Sequence, residues 1–431
     1  VCTVCGQVKA DVAVAKIGSQ NYKTLPEAVA AAQNGDTVKL VKDAKEDITV
    51  SGGKTITIDL NGMKLTNNSD DTIVVEIGAK LTVTGTGTVD NVTHGKAAIY
   101  NNGTVILNGG SYTRSAEAST SIEDANGNSY YNILNHGTMT IEKNVSVTSS
   151  GHFSSLVANG YYSFSDPNPR SGHVSGTNQE TPSLTINGGT FSGGINTIKN
   201  DDNATLTVND GSFSNMTQAA IQNNHVATIN GGTFDANAYH AIENRHFDGG
   251  HNTGSVTVTS GTFTGGLYTT TGATWSISGG SFSTDLKNTG YLADSVSAEV
   301  KSADGSTYSY YTSMNDALAA AKPGDTVTDL RATTEPKVTL TMKYNDGATA
   351  DITYNVTSGT TITLPTPKRS GYTFNGWYDG STKVSSPYKV TKNVTLTASW
   401  SYNYSGGSSS YDPTYSVSTP SKTEHGTVTV S

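Results

Sequence analysis

Two short stretches, KNDDN (199–203) and YHAIENRHFDGGH (239–251), are where acids and bases come close together in this chain. They supply Asp201, Asp202, Glu243, Arg245, His246 and Asp248. Carboxylates held roughly 5–10 Å apart can act as acid and base, or as acid and nucleophile, on a glycosidic bond. A second group is aromatic: Phe153, Tyr161, Tyr162 and Phe164 in GHFSSLVANGYYSFSDPNPRSGH, with His136 upstream. Rings of this kind could stack on the apolar faces of sugars. The third group is Cys2 and Cys5 in VCTVCG, spaced like half a zinc knuckle. A structural zinc needs four ligands, and no second Cys-x-x-Cys or nearby His pair follows. The two cysteines are therefore read as the end of an upstream module, where they could form a local disulfide, and a metal role is the weaker alternative.

None of these groups does chemistry unless the fold brings them together, and the fold is written as a repeat. LTINGGTF (184–191) recurs as VILNGGSY (105–112), LTVNDGSF (206–213), ATINGGTF (227–234), VTVTSGTF (256–263) and WSISGGSF (275–282). From Phe191 to Phe282 the spacings are 22, 21, 29 and 19 residues, and a period near twenty predicts a solenoid. Leu184 and Ile186 should face one side of a strand and Thr185 the other, with the corner at Asn187-Gly188-Gly189 taking positive φ. Phe191, Phe213, Phe234, Phe263 and Phe282 should stack in one interior column. Ile-x-Asn keeps the same beat, so Asn101, Asn135, Asn200, Asn223 and Asn244 should form a second column. Stacked amides can satisfy one another from rung to rung, with Ile77 and Thr269 taking the flanking positions.

The residues beside the asparagines then form two columns expected to face solvent. One is Tyr100, Leu134, Lys199, Gln222 and Glu243, and the other is Asn102, His136, Asp201, Asn224 and Arg245. The ionisable group would span about three rungs, roughly 10 Å, with its side chains diverging into solvent. Two long insertions, 113–131 and 148–183, are expected to leave the same corner of neighbouring coils and make a lip.

A solenoid needs its end strands covered. YKTLPEAVAAAQNGDTVKL (22–40) predicts a capping helix, with Thr24 and Glu27 as a capping box and Leu25, Ala28, Val29 and Ala32 as its apolar stripe. YTSMNDALAAAKPGDTVTDL (311–330) repeats that pattern with Ser313 and Asp316 in the capping places. It reads either as a C-terminal cap or as the start of a further module.

The helix ending in NGDTVKL, followed by ITIDLNGMKL and the NGGTF turns, resembles the pectin-lyase-like right-handed parallel β-helix over about 15–295. GYTFNGWYDG and the terminal TLTASW of the segment from Val338 resemble the Listeria–Bacteroides repeat, a β-grasp-like module of bacterial surface proteins. In so small a module the Tyr372, Phe374, Trp377 and Trp400 cluster is read as core. Together these resemblances imply an all-β chain: a right-handed parallel β-helix solenoid with an N-terminal capping helix, followed by a small β-grasp-like module. The expected division is 1–14, the remnant of an upstream module; 15–295, the β-helix; 296–337, a cap-like helix and connection; 338–401, the repeat; 402–422, a flexible linker; and 423–431, the start of a truncated further domain.

Enzymes on this scaffold use acidic Ca²⁺ sites with a basic residue, or aspartate clusters across adjacent coils. Here no Asp pair recurs on consecutive rungs, and Asn-Thr-Asp and Gly-His-Gly signatures are missing. Asp201, Asp202, Glu243 and Arg245 therefore remain weak catalytic candidates, and calcium is possible but unsupported. Composition points outward from the cell: hydrophobic residues are 34% and charged residues 15%, with 46 glycines, which suits a turn-rich extracellular β protein. The net charge of −9 carries no basic cluster longer than PKR (367–369), which argues against nucleic acid. No apolar run of roughly eighteen residues predicts a membrane span. The expected function is a non-catalytic, cell-surface or secreted β-helix of a Gram-positive bacterium, an adhesin or glycan-contacting stalk. It would be held to the cell wall through modules outside this sequence and bind a glycan or a host or bacterial surface ligand. The alternative is a polysaccharide lyase or glycoside hydrolase acting on the β-helix flank.

Overall fold

The computed structural model describes residues 8–115, 131–151, 154–160, 181–246 and 252–403. Each rung of the solenoid is built from three short strands, and side-chain alternation decides what each buries. On the first face Leu184 and Ile186 stack on Leu206 and Val208, then on Ala227 and Ile229, all buried, while the threonines between them look outward. The strands are parallel and in register, so like residues meet every rung.

After the corner comes the second face. Phe191, Phe213, Phe234, Phe263 and Phe282 occupy consecutive rungs, with ring centroids 4.7–4.8 Å apart and planes within 9°. Val147, Tyr112, Val89 and Leu65 continue the column toward the N-terminus. Positive φ at the corner falls on glycine, as at Gly189 (φ 102°), and not on the preceding Asn187. Asn187 instead joins Asn209 and Asn230 in an exposed amide ladder with bonds of 2.8 and 2.9 Å.

The third face carries the buried asparagines. Each side-chain Nδ2 donates to the Oδ1 of the next, through Asn101, Asn135, Asn159, Asn200, Asn223 and Asn244, at 2.7–3.0 Å and with no exposure. Asn159 is an additional rung, so Asn135 and Asn200 lie two rungs apart and not one as the sequence suggests. The reason is that 148–183 is not one insertion. It contains the strand Val157–Asn159, which leaves 160–182 departing from the corner after the third face, as 245–254 does, and not from the corner used by 114–132. Below Asn101 the ladder position belongs to Val75, whereas Ile77 points outward and is 64% exposed. Above Asn244 it belongs to Thr269.

At the N-terminal end the hairpin Ala15–Ile17 and Gln20–Tyr22 lies antiparallel on Thr37–Leu40. Between them runs the helix Leu25–Ala31, with Leu25, Ala28 and Val29 buried. Thr24 Oγ1 accepts from Glu27 N at 3.2 Å, which is half of the expected capping box; the Glu27 side chain stays exposed. Lys54 Nζ closes the other end by donating to the carbonyls of Val29, Ala30 and Ala32.

The same unit returns after the last rung. Ala298–Lys301 pairs antiparallel with both Tyr308–Tyr311 and Thr326–Asp329, and the helix Met314–Ala320 is capped by Ser313. Its hydrogen bonds repeat those of the first copy: Val14 N to Tyr22 O becomes Ser297 N to Tyr311 O, and Gly35 N to Thr55 O becomes Gly324 N to Asp351 O. This second unit has two engagements. Tyr308–Tyr311 covers the last solenoid strand, Gly280–Phe282, and Tyr310 closes the Phe column at 6.1 Å from Phe282. Its hydroxyl accepts from Leu286 N and donates to Asp285. On the other side Thr326–Asp329 stacks parallel on Ile352–Thr357, and Met314 and Ala317 join the core of Leu340, Met342, Tyr354 and Trp377. Three of the four aromatic residues expected in that module's core are there: Trp377 is 2% exposed and donates to Pro365 O, Trp400 donates to Tyr344 O, and Phe374 packs against both, whereas Tyr372 lies outside the cluster, edge-on to the exposed Tyr402.

Candidate functional site: the third face of the solenoid

Because the ladder asparagines point inward, the residues on either side of them point out of the coil. The sequence puts these flanking columns in solvent; the structure does not. Leu134, His136, Lys199, Asp201, Asp202, Gln222, Asn224 and Glu243 are all buried, at 2–8% exposure. What covers them, among the described residues, comes from the connections on both sides of this face and from a neighbouring rung. Tyr131 packs on Leu134 and Ala158 and places its ring 6.0 Å from Lys199 Nζ. Asn252 N donates to Asp202 Oδ1 at 2.9 Å, and Tyr100 meets His136 edge-on at 5.5 Å.

The ionisable residues separate into two poles. At the inner pole Lys199 Nζ lies 3.2 Å from Asp201 Oδ1, which also accepts from Asn224 Nδ2. Burial alone would lower the lysine's pKa, but the Asp201 carboxylate and Tyr131 outweigh it and hold the ammonium above its ordinary value. Burial pushes Asp201 the other way, toward the neutral acid. The close contact and the Asn224 amide both favour the charged pair, and the lysine's direction is the one that fits them.

The outer pole centres on Glu243, one rung above Gln222. Its Oε1 lies 2.8 Å from His240 Nδ1, and its Oε2 receives Gln218 at 2.8 Å, Arg245 Nη1 at 3.3 Å and Gln222 at 3.4 Å. The carboxylate is itself buried, while the His240 and Arg245 side chains are 39% and 32% exposed. The local chain explains the arrangement. Thr233–Asn244 runs as one strand around a corner that the preceding rungs break, as Thr262–Thr269 does on the next rung, with register shifts beside His240. Gly266 stands opposite His240, where a Cβ would come within 3.0 Å of the imidazole. One rung further on, Tyr268 takes the position of Glu243, its ring 5.4 Å from that of His240. Tyr268 and Tyr239 are both exposed.

Asp201, Asp202, Glu243 and Arg245 therefore do not diverge into solvent. Each is tied to its own partners, because carboxylates taken out of water require donors. Nor do they meet in one groove: Asp201 and Glu243 sit two rungs apart, about 10 Å. His136 is buried, against the expectation that its column is open. Phe153, Tyr161, Tyr162, Phe164, Asp248, Cys2 and Cys5 lie outside the described residues. Among the described residues no three His, Cys, Asp or Glu side chains group as metal ligands. Sequence reasoning missed His240, Gln218, Tyr131 and Tyr268. For Tyr268 a signal was present: once Thr269 is aligned with Asn244, its neighbour falls on Glu243.

Residues 339–399 match the Listeria-Bacteroides repeat domain family. No curated protein and no solved structure matches the chain. Repeat domains of this family occur in bacterial surface proteins. No helix among the described residues is long and apolar enough to cross a membrane.

Proposed function

We propose that this is an extracellular bacterial surface protein whose pectin-lyase-like β-helix is a non-catalytic, glycan-contacting stalk or adhesin. The observation that carries this reading is the state of the carboxylates. Glu243 is bonded by His240, Arg245, Gln218 and Gln222, Asp201 by Lys199 and Asn224, and Asp202 by Asn252. A general acid or base needs a lone pair or proton directed at substrate, and these are directed at protein. The exposed tyrosines and the open sides of His240 and Arg245 suit contact with a sugar better than its cleavage. The repeat module supports a surface setting.

The test is a glycan-array screen run beside a turnover assay on pectin, polygalacturonate and host-type glycans. Binding without release of reducing ends or unsaturated uronate is expected. Turnover that Glu243→Gln abolishes would replace this reading with a lyase or hydrolase.

A further inference from the structure

We infer that the two adjacent rungs bearing Glu243 and Tyr268 carry a subsite for a neutral pyranose, stacked on Tyr268 and hydrogen-bonded by Arg245 and His240. The inference rests on the glycan-contacting reading and adds a place and a ligand class. Three observations converge on it.

The first is the ring. Tyr268 is 41% exposed on a strand, and the imidazole of His240 lies against it at 35°. An exposed phenol braced from one side presents its other face at small entropic cost, as sugar-stacking platforms require.

The second is the hydrogen-bonding inventory that Glu243 leaves over. His240 Nδ1 is engaged with Glu243, which assigns the proton to Nδ1 and leaves Nε2 as an acceptor in the neutral ring. Arg245 spends one Nη1 contact on Glu243 and its Nε is buried, so the donors left for a ligand are the remaining guanidinium N–H groups of a side chain that is 32% exposed. A donor and an acceptor standing beside an aromatic face complement a sugar hydroxyl, which both accepts and donates.

The third is charge. Glu243 neutralises Arg245 at 3.3 Å, so among the described residues this pair leaves no net positive charge with which to draw an anionic sugar, and the chain as a whole carries −9. Electroneutrality selects hydroxyl groups over carboxylates as the ligand's polar handles. Gly266 completes the shape. A Cβ there would stand 3.0 Å from the imidazole that braces the ring and push it by a few tenths of an ångström.

The experiment is saturation-transfer NMR on the full chain with the methyl glycosides of glucose, galactose, mannose and N-acetylglucosamine, and with galacturonate as the acidic comparison. At least one neutral glycoside should bind with millimolar affinity. Tyr268→Ala should weaken it about fivefold, since a stacked ring contributes on the order of 1 kcal/mol. Arg245→Ala should weaken it by a similar factor, and Tyr402→Ala, an exposed tyrosine on the repeat module, should leave it unchanged. Melting curves identify any variant that has lost its fold, and Tyr268→Phe, which keeps the ring, should retain binding. Absence of saturation by every neutral glycoside, preference for galacturonate, or undiminished binding in Tyr268→Ala would each overturn the inference. Array-positive glycans that still bind Tyr268→Ala would show the site to be elsewhere and leave the broader reading standing, whereas no glycan binding at all sinks that reading too.

Discussion

Replacing Asn223 with leucine tests the feature on which the third face depends. Asn223 is fully buried; it accepts from Asn200 at 2.8 Å and donates to Asn244 Oδ1 at 3.0 Å, to His225 O at 3.0 Å and to Ser255 O at 3.3 Å. Leucine keeps asparagine's branching at Cγ but is the bulkier side chain, so no cavity is left and crowding adds to the polar loss. Asn200 Nδ2 keeps Ala204 O and Val226 O as acceptors, but the Asn244 Oδ1 loses its amide donor, and two carbonyls lose a donor as well. A buried group left unsatisfied costs about 1–3 kcal/mol, so about 2–4 kcal/mol is expected for the variant. The assay is guanidinium denaturation, read as a fall in midpoint at unchanged slope. Asn209→Leu is the internal control. It removes the same bond type, 2.8 Å to Asn187 and 2.9 Å from Asn230, at an exposed corner where water can substitute. It should cost less than about 1 kcal/mol. If both variants shift the midpoint equally, the buried ladder is not what distinguishes them and the reasoning fails.

Phe234→Ala should destabilise by about 3–5 kcal/mol, because the ring is sandwiched at 4.7 and 4.8 Å and no neighbour can fill its place; a midpoint shift no larger than that of Asn209→Leu would contradict this. Tyr310→Ala should open the last rung before the rest, seen as faster amide exchange around Gly280–Phe282 than around Thr205–Val208; uniform exchange would show that Tyr310 is not the seal. Asp329 is held below the usual carboxylate range: burial would raise it, but Arg331 at 2.6 and 2.9 Å and Thr357 at 2.6 Å outweigh that. A depressed folded-state value means stability that is complete above the ordinary Asp pKa of about 3.9 and lost as pH falls below it. Asp329→Asn should therefore flatten the acid limb of the stability–pH curve, and an unaltered limb would refute the assignment.

The first two faces were legible because their signals are local. Alternation in LTINGGTF states which side is buried, and the phenylalanine column follows from spacing alone. The Val157–Asn159 rung was hidden because it keeps the third-face pattern, as VAN, but lies inside a long interruption without the NGG corner beside it. Burial of the flanking columns was illegible for a different reason. Local alternation shows that Lys199, Asp201 and Glu243 point out of the coil, and it is silent on whether Tyr131 or Asn252, distant in sequence, return to cover them. The repeated helix unit was visible as a constant offset of capping residues. That its hairpin would close one body while its last strand joins another depends on pairing, which spacing does not encode.

The direction of the hydrogen bonds has a mechanical consequence. On all three faces they run along the long axis, joining rung to rung. Tension applied to the two ends of the rod loads those bonds in series, and the outermost rung peels while the others remain intact. A rung of 19–44 residues holds about 65–150 Å of contour length within about 5 Å of rod. A solenoid built in this way yields to tension by lengthening in increments, which force–extension traces would resolve as steps of that length, and it dissipates load where a shear-locked sheet would resist and then rupture at once.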